Sequence, residues 1–150
     1  MEKGLKLISE TQAKLDYNVV LADLLVEGGY EASSDICEEF FGPHLSPDLS
    51  LEISFALFTL TEKSRIEPLL VYFQKIGYRP ANLYELLVWG NNNKKTEYAF
   101  SIVALDSMLK ETGCDCGVPA LTIVGNRRNL EVLWLNCAWQ GDYGFLAVKL

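Results

Sequence analysis

Leu51-Glu52-Ile53-Ser54-Phe55-Ala56-Leu57 alternates large apolar residues with polar or small ones, and this stretch constrains the fold most. A period of two places Leu51, Ile53, Phe55 and Leu57 on one face of a strand, which must then be buried. Phe58 and Leu60 make the opposite face apolar at the far end, so that end is expected to be covered on both sides. Ser64 and Glu67 form an S-x-x-E capping box, after which Ile66, Leu69, Leu70, Phe73 and Ile76 line one helical face. Pro68 falls in the first turn, where it costs little, and Gly77 supplies a left-handed stop. Pro80 then forces Arg79 into an extended conformation. Asn82 with Glu85 opens a second helix, with Leu83, Leu86 and Leu87 inward and Gly90 at its end. Asn91–Lys95 reads as an exposed turn.

The flanks are less patterned. Residues 1–16 are expected to be a poorly ordered or helical extension. Val19, Val20, Leu21, Leu24 and Leu25 favour a short helix capped by Asp16 and ended by Gly28-Gly29, a strand through Asn18–Val26 being the alternative. Asp35 and Glu38 pair as a cap for one or two helical turns closed by Gly42-Pro43, and His44–Ser50 is a loop. Phe100–Leu105 is apolar without alternation, as in a fully buried strand. Asp106–Gly117 is a loop. Val118–Val124 and Asn129–Leu135 flank the turn Gly125-Asn126-Arg127-Arg128 as a hairpin, and Phe145–Leu150 is a last strand after a turn at Gly141–Gly144. The expected architecture is α+β: one domain over 1–150, short helices in the N-terminal two-thirds, and a C-terminal antiparallel β-meander.

Composition narrows the function classes. A chain of 150 residues, 49% hydrophobic and 22% charged, builds a core without metals or disulfides. The net charge is −7, and the only basic clusters are Lys94-Lys95 and Arg127-Arg128. A nucleic-acid partner is not expected, because phosphate binding needs a basic stripe. The acidic residues are scattered, as on a solubilising surface; an acidic inhibitor or DNA mimic is the weaker alternative. The N-terminus has no signal-peptide pattern and no apolar run approaches the ~20 residues of a membrane span, so a cytoplasmic protein without membrane contact is expected. Its four cysteines are then thiols.

Few residues point to chemistry. Cys114-Asp115-Cys116 offers two thiolates, but zinc would need two more ligands from Cys37, Cys137 or His44. The spacing is not the C-x-x-C knuckle, so the preferred reading has no metal and free or core thiols, with a disulfide to Cys137 as a redox alternative. His44 is the only histidine and reads as a solvent-facing loop residue. No nucleophile elbow, Walker loop, dinucleotide fingerprint or zinc-protease helix is present. Arg79, at the bend set by Pro80, is placed to bond carbonyls or a carboxylate across the helix junction. Trp134 shares a strand face with Leu130 and Val132 and reads as core. Trp139, Asp142 and Tyr143 surround the last turn, and exposed Trp and Tyr are enriched at recognition sites. Trp139, Asp142, Tyr143 and Arg79 are therefore the candidate ligand- or partner-binding residues.

Several patterns together resemble a family of small bacterial proteins of unknown function, common in candidate-phylum genomes. They are Gly29-Tyr30 with Ser34-Asp35-Ile36, the strand Leu51–Phe58, the run from Gly77 to Leu87, Phe100–Ser107, Val118-Pro119-Ala120-Leu121, Trp134, Trp139 and Phe145–Lys149. Compared with that pattern, Asn82 stands for Thr, Ser101 for Pro, Asp106 for Gly and Lys149 for Arg. Asn keeps the helix cap, whereas Asp106 threatens a tight turn. The resemblance implies a shared fold and no activity. A looser topological likeness is to C-type-lectin-like modules, without their calcium-binding triplets. The resulting expectation is a non-enzymatic protein- or ligand-binding module without cofactor. The alternative is a small enzyme, or degenerate relative of one, with a site near the Cys114 loop.

Overall fold

The computed structural model describes residues 5–16, 21–32, 50–60, 64–93, 100–107, 109–110, 116–124, 127–135, 138–139 and 143–150. Eleven strands and three helices are found among them. The strands are β1 (Leu5–Asp16), β2 (Glu31–Ala32), β3 (Ser50–Leu60), β4 (Ser64–Arg65), β5 (Tyr78–Pro80), β6 (Ser101–Val103), β7 (Leu109–Lys110), β8 (Cys116–Val124), β9 (Arg127–Leu135), β10 (Ala138–Trp139) and β11 (Tyr143–Lys149). The helices are α1 (Leu21–Gly28), α2 (Ile66–Lys75) and α3 (Leu83–Asn91). The main sheet runs β1-β3-β11-β6-β8-β9-β2, with β5 beside β11 and β7 beside β8, while β4 and β10 pair separately. The sheet is mostly antiparallel, and the fold is α+β.

Each sheet face carries a buried core, as the sequence around β3 requires. Ile53, Phe55 and Leu57 join Leu24 of α1, the residues of α3, Leu121 and Leu146 in one core. Ala56, Phe58 and Leu60 join Leu69 and Phe73 of α2, Val118, Ala120 and Phe145 in the other. α1 and α3 thus cover one face and α2 the opposite one. Every residue of α3 from Leu83 to Gly90 is buried, consistent with its being apolar nearly all round.

Residues 5–16 correct the expected extension: they form the twelve-residue strand β1, paired with β3 along its whole length. A register shift between Leu7 and Ser9 explains why the pattern is hard to see. Leu5 and Leu7 lie opposite Leu60 and Phe58, whereas Thr11 and Ala13 lie opposite Phe55 and Ile53. One extra residue therefore transfers the odd positions from one face to the other, and the alternation reads as two short patterns out of phase.

The C-terminal region also departs from a simple meander. β8 and β9 form the expected antiparallel hairpin, with Val124 opposite Arg127, so both arginines belong to β9 rather than to the turn. β11 does not continue beside β9. It enters the middle of the sheet, antiparallel to β3 on one side and, on the other, parallel to β6 and antiparallel to β5. Phe145, Leu146, Ala147 and Val148 are all buried, because a central strand with both faces covered has no solvent side. The buried strand foreseen over Phe100–Leu105 is confined to Ser101–Val103, and the chain then enters a 3-10 turn over Leu105–Ser107. Asp106 sits in that turn, its amide donating to Ala81 O at 3.0 Å. A right-handed turn asks for no glycine, so the Asp at this position is accommodated.

A polar knot ties the two helices of one face to β9. Arg128, only 7% exposed, donates to the carbonyl of Gly28 at the C-terminus of α1 and, at 2.9 Å, to the Tyr30 hydroxyl. The guanidinium carbon lies 4.3 Å from the Tyr30 ring centroid. Tyr30 in turn donates to Leu87 O of α3 at 2.8 Å. A cation at a helix C-terminus meets exposed carbonyls and the negative end of the dipole, which is why a buried arginine is tolerated here. Burial pushes the Tyr30 phenol above its ordinary 10.0, with Arg128 opposing in part. The unfolded phenol ionises from about pH 10, while the folded one keeps its proton. This contribution to stability is thus complete below pH 10 and declines as pH rises beyond it. The unfolding free energy from urea melts at pH 9 to 11.5 should fall at up to about 1.4 kcal/mol per pH unit from this group, and Tyr30→Phe should flatten that part of the slope. An unchanged slope in the variant would place the alkaline sensitivity elsewhere.

Candidate functional site

Along β1 and β3 the α2-side face changes character. Leu7 opposite Phe58 is apolar, but Glu10, Gln12 and Lys14 follow opposite Ala56, Ser54 and Glu52. On the other side of β3 the same face continues through β11 to β5, where Lys149 is opposite Tyr78. The face therefore passes from the core under α2 to a polar, open end. A groove of about 460 Å³ occupies it, lined by Glu10, Thr11, Gln12, Ser54, Phe55, Tyr78 and Lys149. That volume lies in the usual range for small-ligand sites.

Tyr78 defines one wall. Its ring meets Phe58 edge-on at 5.5 Å between centroids, and Phe58 packs against Phe73 of α2 at the same spacing, so the phenol is anchored to the core. From β5 it reaches across β11 and β3 to donate a hydrogen bond to Glu10 Oε1 of β1 at 3.2 Å. Burial and the Glu10 carboxylate both hold the Tyr78 phenol above its usual range, so it is a proton-bearing donor at neutral pH. Gln12 Nε2 donates to Ser54 Oγ at 3.4 Å on the floor. Lys149 is exposed and its ammonium makes no ion pair or hydrogen bond with the described residues. The groove thus combines a carboxylate, an ammonium, a phenol, an amide and the Ser54 hydroxyl, with an aromatic wall.

The candidates named from sequence occupy other positions. Arg79 neighbours Tyr78 in β5 but turns to the α3 side, where Nη1 and Nη2 grip Glu85 at 2.9 and 2.6 Å. Tyr143 opens β11 opposite Ser101, while Arg79 lies opposite Val148. Five residues of strand, about 17 Å, separate those two positions, so Arg79 and Tyr143 do not share a site. Trp139 pairs with Ser64 in the small sheet. Asp142, Cys114, Cys37, Cys137 and His44 lie outside the described residues, and Cys116 begins β8 opposite Leu135. Among the described residues, no three His, Cys, Asp or Glu side chains are grouped to hold a metal. Likewise, no helix among them is long and apolar enough to cross a membrane.

Glu10, Gln12, Ser54, Tyr78 and Lys149 carry no signature of their own in the sequence. They come together only because β1 pairs with β3 and β11 enters beside it. The alternation of Glu10, Gln12 and Lys14 with Thr11, Ala13 and Leu15 was the available signal, obscured by the bulge.

No family model, curated protein or solved structure matches this chain. A functional reading therefore rests on the groove's own chemistry.

Proposed function

We propose that the protein is a non-enzymatic binding module that takes a small polar ligand in the groove between β1, β3, β5 and β11. The observation that carries this reading is the Tyr78–Glu10 hydrogen bond, which spans the sheet beside a 460 Å³ recess lined mostly by polar groups. Polar side chains held at fixed places around an open recess supply orientation and selectivity to a bound molecule. The same groups make poor catalysts. Tyr78 holds its proton firmly, and Ser54 Oγ accepts a hydrogen bond from an amide rather than facing a base. Binding without bond-making is what this arrangement supports.

The test is to titrate isotope-labelled protein with a library of small polar compounds and follow amide chemical shifts. Binders should perturb Gln12, Ser54, Tyr78 and Lys149 first. Binders that perturb only residues on the α1/α3 face would refute the assignment of the groove.

A further inference from the structure

The geometry points to a ligand bearing one positive and one negative charge, of the size of a dipeptide, with its ammonium at Glu10 and its carboxylate at Lys149. This rests on the groove being the binding surface and adds the class of molecule that it selects. The first argument is charge placement. In a chain of net charge −7, a recess with a scattered surface would be expected to be acidic. Instead Glu10 and Lys149 both line it, and the next cross-strand pair along β1 and β3, Lys14 opposite Glu52, is again of opposite sign. A recess neutral in sum but polarised across its width favours neither a simple anion nor a simple cation. Bringing either one in would set a like charge against it.

The second argument is distance. Glu10 lies opposite Ala56 on β1, and Lys149 lies on β11 one pair beyond Val148, which is opposite Phe55. Two strand spacings across and two residues along separate their backbones by about 12 Å. The Glu10 side chain is drawn toward Tyr78, across the recess, and Lys149 also lines it. Both side chains are long, and a molecule of two extended residues, about 7 Å between its charged ends, fits between groups so placed.

The third argument is that the remaining groups suit a peptide-like body. Gln12 and Ser54 on the floor can exchange their mutual 3.4 Å contact for bonds to a peptide N–H and C=O. Tyr78 keeps Glu10 pointed inward and presents its ring to an apolar side chain. The Glu10 carboxylate retains acceptor capacity beyond the single phenol bond, enough for an ammonium.

Calorimetric titration of the whole chain with alanyl-alanine, its N-acetylated form (carboxylate only), its C-terminal amide (ammonium only) and a neutral disaccharide tests the inference. Alanyl-alanine should bind at least ten-fold more tightly than either singly charged analogue, and more weakly as salt rises. Glu10→Gln should remove most of the preference over the N-acetylated form, and Lys149→Met most of the preference over the amide; both positions are exposed, so folding is preserved. Equal affinity for the dipeptide and a singly charged analogue, or tighter binding of the disaccharide with shifts at Ser54 and Tyr78, overturns the zwitterion while leaving the groove as a binding site. Absence of shifts at groove residues with every compound overturns both.

Discussion

Glu85→Ala should be the most damaging single substitution of a polar residue, lowering stability by about 3–4 kcal/mol. Glu85 is 0% exposed, and its carboxylate serves both Arg79 and Asn82. Its Oε1 accepts from Arg79 Nη1 and from the Asn82 amide, both at 2.9 Å, and its Oε2 accepts from Arg79 Nη2 at 2.6 Å. Asn82 Oδ1 reciprocates by accepting from the Glu85 amide at 2.8 Å, completing the capping box of α3. Alanine leaves the buried Asn82 N–H without its acceptor, at the full cost of its desolvation, and takes the carboxylate from the guanidinium, which is 37% exposed and also donates to Pro80 O. For a chain of this size the melting temperature should fall by about 10 °C. Glu85→Gln retains an acceptor for the Asn82 amide but loses the charge and sets an NH2 against Nη2, so its cost should be about half. A urea melt in which Glu85→Ala loses less than 1 kcal/mol would show that the junction is held by apolar packing alone.

Gly90→Ala should destabilise by about 2–3 kcal/mol, against the helix-propensity expectation of a gain near 1 kcal/mol. A Cβ at position 90 would come 2.3 Å from the Tyr30 hydroxyl, 2.8 Å from Arg128 Nη2 and 3.1 Å from Leu121 Cδ2. The first two of these atoms have little freedom to retreat, because Tyr30 is bonded to Leu87 O and Arg128 to Tyr30 and Gly28. The new methyl therefore forces a choice between overpacking and broken buried hydrogen bonds. Combining it with Tyr30→Phe, which removes the nearest clashing atom, should cost less than the sum of the two singles by at least 1 kcal/mol. A stabilised Gly90→Ala protein, or strict additivity in the double variant, would mean that the helices part easily at this crossing.

These two sites differ in how visible they are in the sequence. The Asn82–Glu85 box needs only residues three apart on one helix, so the cap and the extended Arg79 before it are legible locally, and both are present. The same holds for the left-handed Gly77, with φ of 86°, and for β3, whose two faces announce two cores. Gly90 does not end the helix, and the reason is physical. α3 runs on to Asn91 with Asn92 as its cap, and the glycine is there because Tyr30 and Arg128, sixty and thirty-eight residues away, occupy the space of its side chain. Arg128, which the local pattern places in the hairpin turn, belongs to β9 and is buried for the complementary reason, since the carbonyl it satisfies belongs to α1.

Local chemistry, acting over a few residues, determined the helices α2 and α3, the N-terminal cap of α3, the strand β3 and the β8–β9 hairpin. Short-range sterics and hydrogen bonding dictate such features whatever the rest of the chain does. Tertiary pairing decided everything that depends on which strand lies beside which: β1 along the edge, β11 in the middle, and hence the meeting of Glu10, Tyr78 and Lys149. Residues more than sixty positions apart along the chain become neighbours only when the burial of both sheet faces selects one strand order, and no local pattern encodes that selection.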